Sequence, residues 1–284
     1  MEYYNLNYLD KSDLDGLNNN ENNYKKYVAK KITKSNLTST DGWLIPEKLL
    51  PVNRGENKDK LVEANIIKKK KVVVKISKNK NLLEKDYNTS LKLQILKCSN
   101  FAKYIAFFSC KDDFNNYELN KKLPKYFCKN NGTTNYFLFM EYYPIGSILN
   151  YIPTKIDEII SIINQVLASL IIAFEKLGFI HGDLHPGNIL LKITKKNSIK
   201  YNNDIIINTS GLEVLIFDFD RSNFSGNFSI FLSELSAFIN FYELYLIEKD
   251  IFKKNNELVT PFRILKREFY KITTIKELKK FIGN

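Results

Sequence analysis

The stretch Phe179-Ile180-His181-Gly182-Asp183-Leu184-His185-Pro186-Gly187-Asn188-Ile189-Leu190-Leu191 constrains this chain more than any other. A long apolar run, Asp157 to Leu177, precedes it; apolar residues on nearly every side of that run predict a core helix, closed by Gly178. Ile189-Leu190-Leu191 leaves the stretch as a buried strand. Between the two lie His, Asp, His and Asn, together with one Pro and two Gly. Polar groups on a loop pinned between apolar elements are costly to bury without partners, so a loop of this composition calls for a purpose. A second stretch has the same character. Val214-Leu215-Ile216-Phe217-Asp218-Phe219-Asp220 is an apolar strand that ends in an acidic cluster.

An Asp followed five residues later by an Asn, on a loop held in this way, resembles the catalytic loop of the protein-kinase-like superfamily. Asp218-Phe219 resembles the magnesium motif that follows it in the family, with Asp220 where the family has Gly. The two motifs occur in the family's order. His-Gly-Asp-Leu-His and Asp-Phe-Asp-Arg further resemble divergent Ser/Thr protein kinases of large DNA viruses, of poxvirus and giant-virus type. The resemblance implies an α+β, two-lobed fold: a small antiparallel sheet with one helix, then an abbreviated helical lobe. Its implied boundaries are an Asn/Lys-rich arm at 1–39, a first lobe and hinge at 40–143, and a second lobe at 144–284.

The same resemblance assigns roles residue by residue. Asp183 is the base for the acceptor hydroxyl, and Asn188 and Asp218 are the magnesium ligands. His185 stands where Ser/Thr protein kinases carry a Lys that contacts the transferred phosphate. Gly182 stands where regulated kinases carry an Arg. In Val72-Val73-Val74-Lys75-Ile76 an ammonium is embedded in a β-branched run, which is unfavourable unless anions receive it. The family's third-strand Lys, which meets the α/β-phosphates and pairs with a helix Glu, has this setting; the alternative is an edge strand with Lys75 in solvent. A helix is expected from about Leu82 to Lys97, with Leu83, Tyr87, Leu91 and Ile95 at helical spacing. Between Lys75 and Asn100 the carboxylates are Glu84 and Asp86, and Glu84 is the expected partner of Lys75. Phe137 to Ile148 resembles the kinase hinge, with Met140 lining the adenine pocket and backbone groups near Glu141 and Tyr143 bonding the base. Gly55, in Asn53-Arg54-Gly55-Glu56-Asn57, is the single candidate for a phosphate-cradling loop. It departs from the family's Gly-rich pattern, and Asp220 either joins the metal set or pairs with Arg221.

Composition narrows the function classes. The net charge of +12 suggests acidic partners, but the Lys residues are spread through an Asn/Lys/Ile-rich chain, so no specific nucleic-acid binding is expected. Cys98, Cys110 and Cys128 lack CxxC spacing, which predicts no zinc site and a reduced, intracellular setting, the cytoplasm or a virion. The apolar regions near 159–174 and 230–247 are broken by Asn164, Gln165, Glu234, Asn240 and Glu243, so buried helices are expected rather than transmembrane segments. Polar residues 192–211 read as an insertion within a hairpin. After Asp220 the chain passes almost at once into a helix at about Ser229 to Glu248, leaving no long activation segment. The expectation is a monomeric kinase using ATP and Mg2+, with protein Ser/Thr hydroxyls as acceptors. Two alternatives are a small-molecule kinase of aminoglycoside/choline type and a catalytically weak pseudokinase scaffold.

Overall fold

A computed structural model describes residues 44–50, 60–66, 70–96, 100–112, 127–128, 132–201 and 205–283. Gly55 and the 1–39 arm lie outside the described residues. The described residues form two compact units: one holds residues up to Tyr87 with Lys103–Tyr142, and the other holds Asn88–Ala102 with Tyr143 onward.

The first unit is built on five antiparallel strands: β1 (Leu44–Leu50), β2 (Lys60–Ile66), β3 (Lys70–Ser77), β4 (Tyr104–Asp112) and β5 (Thr133–Glu141), in the order β1-β2-β3-β5-β4. β1 lies at the edge, where Pro46 leaves no ladder bond unmade in the sheet interior, and its register shifts between Pro46 and Lys48. Period-two alternation divides the faces. Val62, Ala64, Val72, Val74, Ile76, Phe137 and Phe139 belong to one buried cluster, in which Phe108 stacks on Phe137 at 4.9 Å and Phe139 at 5.2 Å. Val73 and Lys75 alternate with these residues and so emerge on the opposite face. In register with them are Met140 and Leu138 of β5. The helix after β3, α1 (Lys80–Gln94), opens with the Asn79 carboxamide accepting from the Leu82 amide at 3.3 Å.

Cys110 and Cys128 are joined by a disulfide across 18 residues, with Cα atoms 5.4 Å apart. This corrects the expectation of reduced cysteines for that pair. The spacing of three cysteines carries no sign of which two the sheet brings together.

In the second unit α2 (Ile156–Leu177) is the central helix, closed by Gly178 in the left-handed conformation, φ 66°. Its buried Gln165 explains how an apolar helix carries polar groups inside. The amide nitrogen donates to Leu212 O at 2.9 Å, and the amide oxygen accepts from Val214 N at 3.1 Å. These bonds tie α2 to β9 (Leu212–Ile216), which pairs antiparallel with β6 (Ile189–Ile193). The polar insertion between them contains a small hairpin of its own, β7 (Ser198–Lys200) and β8 (Ile206–Asn208). Four helices follow: α3 (Phe228–Glu248), α4 (Ile251–Lys254), α5 (Val259–Phe269) and α6 (Ile275–Gly283). By length and composition α2 and α3 could each cross a membrane. Both carry buried side chains on the faces packed within the unit. The architecture is α+β, a five-stranded antiparallel sheet with several helices, and is compatible with a kinase-like fold.

Candidate functional site

The loop from Phe179 to Asn188 is fixed at its ends and its middle. Phe179 is fully buried and meets the rings of Phe101 and Phe219 edge-on, at 6.1 and 6.2 Å. Ile180 and Asn223 exchange two backbone bonds of 2.9 Å each. His181 is buried, with Nε2 2.9 Å from the Phe217 carbonyl. Glu234 of α3 then takes the next two amides, with Oε2 accepting from His181 N at 3.0 Å and Oε1 accepting from Gly182 N. Sequence reasoning had noted Glu234 only as a break in an apolar helix. Its place 53 residues from His181 gave no sign that it clamps the loop.

Gly182 adopts φ +80°, and a Cβ there would collide with the Arg221 carbonyl oxygen and meet its carbon at 2.9 Å. Glycine is therefore required by conformation and by space together. An Arg, as in regulated kinases, has no room at this position.

Downstream, the His185 ring Nδ1 accepts from Gly187 N at 3.0 Å, opening the single turn Pro186–Asn188. Burial pushes the His185 imidazole below its ordinary value of 6.5. The Asn188 amide nitrogen donates to Asp183 O at 2.9 Å, which ties the two ends of the Asp-to-Asn spacing together. Ile189 pairs with Ile216, and Phe217 N donates to Asn188 O at 3.1 Å. The β6–β9 ladder thus sets Asn188 and Asp218 at neighbouring strand ends. Asp218 has φ +69°, an unfavourable conformation for a non-glycine residue, of the kind that gathers at functional sites. Asp183 is partly exposed, and Arg221 Nε lies 3.8 Å from its Oδ2.

This donor set fits magnesium. With its nitrogen committed to Asp183, the Asn188 amide presents its oxygen as the remaining donor, and Asp218 supplies a carboxylate. Both are hard oxygen ligands, and a magnesium site with one or two protein ligands completes its shell with water and phosphate oxygens. Among the described residues no cluster of three or more His, Cys, Asp or Glu forms a different metal site.

In the first unit Lys75 Nζ pairs with Asp86 Oδ2 at 3.2 Å, with side-chain exposures of 10% and 0%. The expected partner, Glu84, instead meets Lys80 at 3.8 Å on the surface. The reason is helical phase. Asp86 shares a face with Leu83, Ser90 and Leu93, all buried at intervals of three and four, whereas Glu84 is turned about 200° away. That periodicity was in the sequence, and it was the signal that could have singled out Asp86. Met140 is buried opposite Val73 in the register, Glu141 is half-buried, and Tyr143 is buried, its carbonyl accepting from Gly146 N at 2.9 Å. Within their own units, then, Asp183, Asn188 and Asp218 are gathered in one place, and Lys75 is set against a carboxylate.

No family model matches the chain. It is similar to mouse serine/threonine-protein kinase haspin, 34% identical over 107 residues, which is 36% of this chain and 14% of haspin. Bovine haspin is 37% identical over 92 residues, 30% of this chain and 12% of the relative. These partial matches support a protein-kinase-like relationship. An uncharacterized Caenorhabditis elegans protein, ZK177.2, is 31% identical over 130 residues, 44% of the chain and 40% of that protein. The matches span less than half the length of each of these relatives.

Proposed function

We propose that the protein is a kinase that uses ATP and Mg2+ to phosphorylate Ser/Thr hydroxyls of proteins. The observation that carries this reading is the Asp183–Asn188–Asp218 constellation, held by Glu234, by the Asn188–Asp183 bond and by the β6–β9 ladder. Phosphoryl transfer asks little covalent chemistry of a protein; positioning and charge neutralisation carry it. Asp183 takes, or orients, the proton of the acceptor hydroxyl, whose oxygen forms the new bond to the γ-phosphorus as the bond to ADP breaks. Asn188 and Asp218 would hold magnesium, which supplies charge neutralisation at the phosphate oxygens. Lys75, steadied by Asp86, contacts the α/β-phosphates. Met140 and the backbone at Glu141 and Tyr143 receive the adenine. The loop wording His-Gly-Asp-Leu-His and the motif Asp-Phe-Asp-Arg support kinship with the large-DNA-virus kinases.

One observation favours a small-molecule acceptor as a second reading. Only six residues separate Arg221 from Phe228, where α3 begins, so the chain devotes no long segment to seating a peptide.

Labelled ATP offered with mixed proteins and with a panel of hydroxylated metabolites tests both readings. Asp183→Asn should keep nucleotide binding and lose about 100- to 10,000-fold in transfer rate. Asp218→Asn should lose magnesium-dependent nucleotide binding and transfer together. Transfer to protein supports the first reading and transfer to a metabolite the second. A wild-type chain that binds partners unchanged in both variants, with no transfer to any acceptor, would be a scaffold.

A further inference from the structure

We propose that Arg221 is a catalytic residue that contacts the γ-phosphate of the bound nucleotide. The inference rests on the kinase reading above and goes beyond it. Loop residues 181–191 include no lysine or arginine, so the loop itself brings no guanidinium or ammonium to the group being transferred. Arg221 supplies one from the other side. Its Nε lies 3.8 Å from Asp183 Oδ2, and its side chain is 47% exposed against 36% for Asp183. Asp183 faces the acceptor hydroxyl, which must approach the γ-phosphorus, so a guanidinium beside Asp183 is within reach of the same phosphoryl group. The planar fork of Arg matches phosphate oxygens, and its charge does not depend on pH.

The position is built rather than incidental. The backbone at Arg221 is set against Gly182 so closely that only glycine fits there. The Ile180–Asn223 bridge closes one side of this contact. Next to Arg221 in the chain, the buried Ser222 hydroxyl donates to Phe219 O at 2.6 Å. An ion pair this exposed contributes little to stability by itself, so stability does not account for a close approach that only glycine permits beside a fixed Ser222 and Asn223. Placing a cation at the phosphoryl group does.

The test is calorimetric titration of the full chain, in magnesium, with ADP and with the non-transferable analogue AMP-PNP. Wild type should bind AMP-PNP more tightly than ADP. Arg221→Gln should lose about 10- to 100-fold in AMP-PNP affinity, as expected for a charge-assisted bond to phosphate, and leave ADP affinity unchanged. Arg221→Lys should recover part of the difference, because it keeps the charge and loses the fork. It also serves as the readout should the Gln variant fail to fold. Equal losses for ADP and AMP-PNP, or no loss for either, would overturn the proposal, as would a wild type that binds neither nucleotide. If the selective loss is seen while wild type transfers phosphate to no acceptor, the γ-phosphate contact stands and the kinase reading fails.

Discussion

Exchanging Asp86 for Asn should destabilise the protein strongly, whereas Glu84→Gln should hardly be felt. The two carboxylates are two residues apart on α1, yet their surroundings differ completely. Asp86 is fully buried against a Lys75 side chain that is itself 10% exposed, at 3.2 Å. At an effective dielectric of about 20, the attraction at that distance is about 5 kcal/mol. Removing one member of such a pair leaves a buried charge uncompensated, and the typical cost is about 3–5 kcal/mol. Glu84 and Lys80 are both about half-exposed and 3.8 Å apart, one turn from each other. A pair of that kind contributes about 0.3–0.5 kcal/mol. Urea unfolding followed by circular dichroism would measure both. Magnesium-dependent nucleotide affinity, measured alongside, should fall in the Asp86 variant alone, because an unanchored Lys75 loses its aim. Equal destabilisation by the two substitutions would refute the assignment of Asp86, as would a Glu84→Gln variant that loses nucleotide binding.

Gly182→Ala should cost about 2–5 kcal/mol, combining left-handed backbone strain with overlap against Arg221. Gly211→Ala is the control in chemical denaturation: at φ +81° with nothing within 4 Å of its Cβ position, it should cost only the backbone strain, about 1 kcal/mol. Cys110→Ser, compared with wild type under oxidising conditions, should lose about 3 kcal/mol of unfolding free energy for its 18-residue separation. Equal midpoints with and without reductant would show that the bridge adds nothing. Burial holds the folded-state His185 below 6.5, so the unfolded chain binds that proton first. Its contribution to stability is complete above pH 6.5 and declines as the pH falls through the depressed folded value. Urea midpoints should therefore drop less steeply on acidification in His185→Asn than in wild type, and identical slopes would contradict the burial argument.

Much of the fold was legible because it is local. The β-branched run at Val72–Ile76 gives β3, Pro46 marks an edge strand, and the apolar run closed by Gly178 gives α2. The Asp183-to-Asn188 spacing is local as well. Five residues around one tight turn bring the Asn188 amide back to the Asp183 carbonyl, so the order of residue types already encodes the contact. The Val214–Ile216 strand could likewise be placed against Ile189–Leu191, since both are short apolar runs flanking one loop.

What the sequence alone could not decide were pairings between residues distant along the chain. Lys75 had two carboxylates within reach, and the choice fell to the buried phase of α1, which turns Asp86 inward and Glu84 outward. Glu234 clamps the His181 and Gly182 amides from 53 residues away, and Cys128 finds Cys110 across 18. Arg221 reaches Asp183 because a bridge between Ile180 and Asn223 lays one backbone against another. Spacing fixes which side chains share a turn or a strand face. Which face meets which depends on the packing of the whole unit, and that is decided only when the cores close.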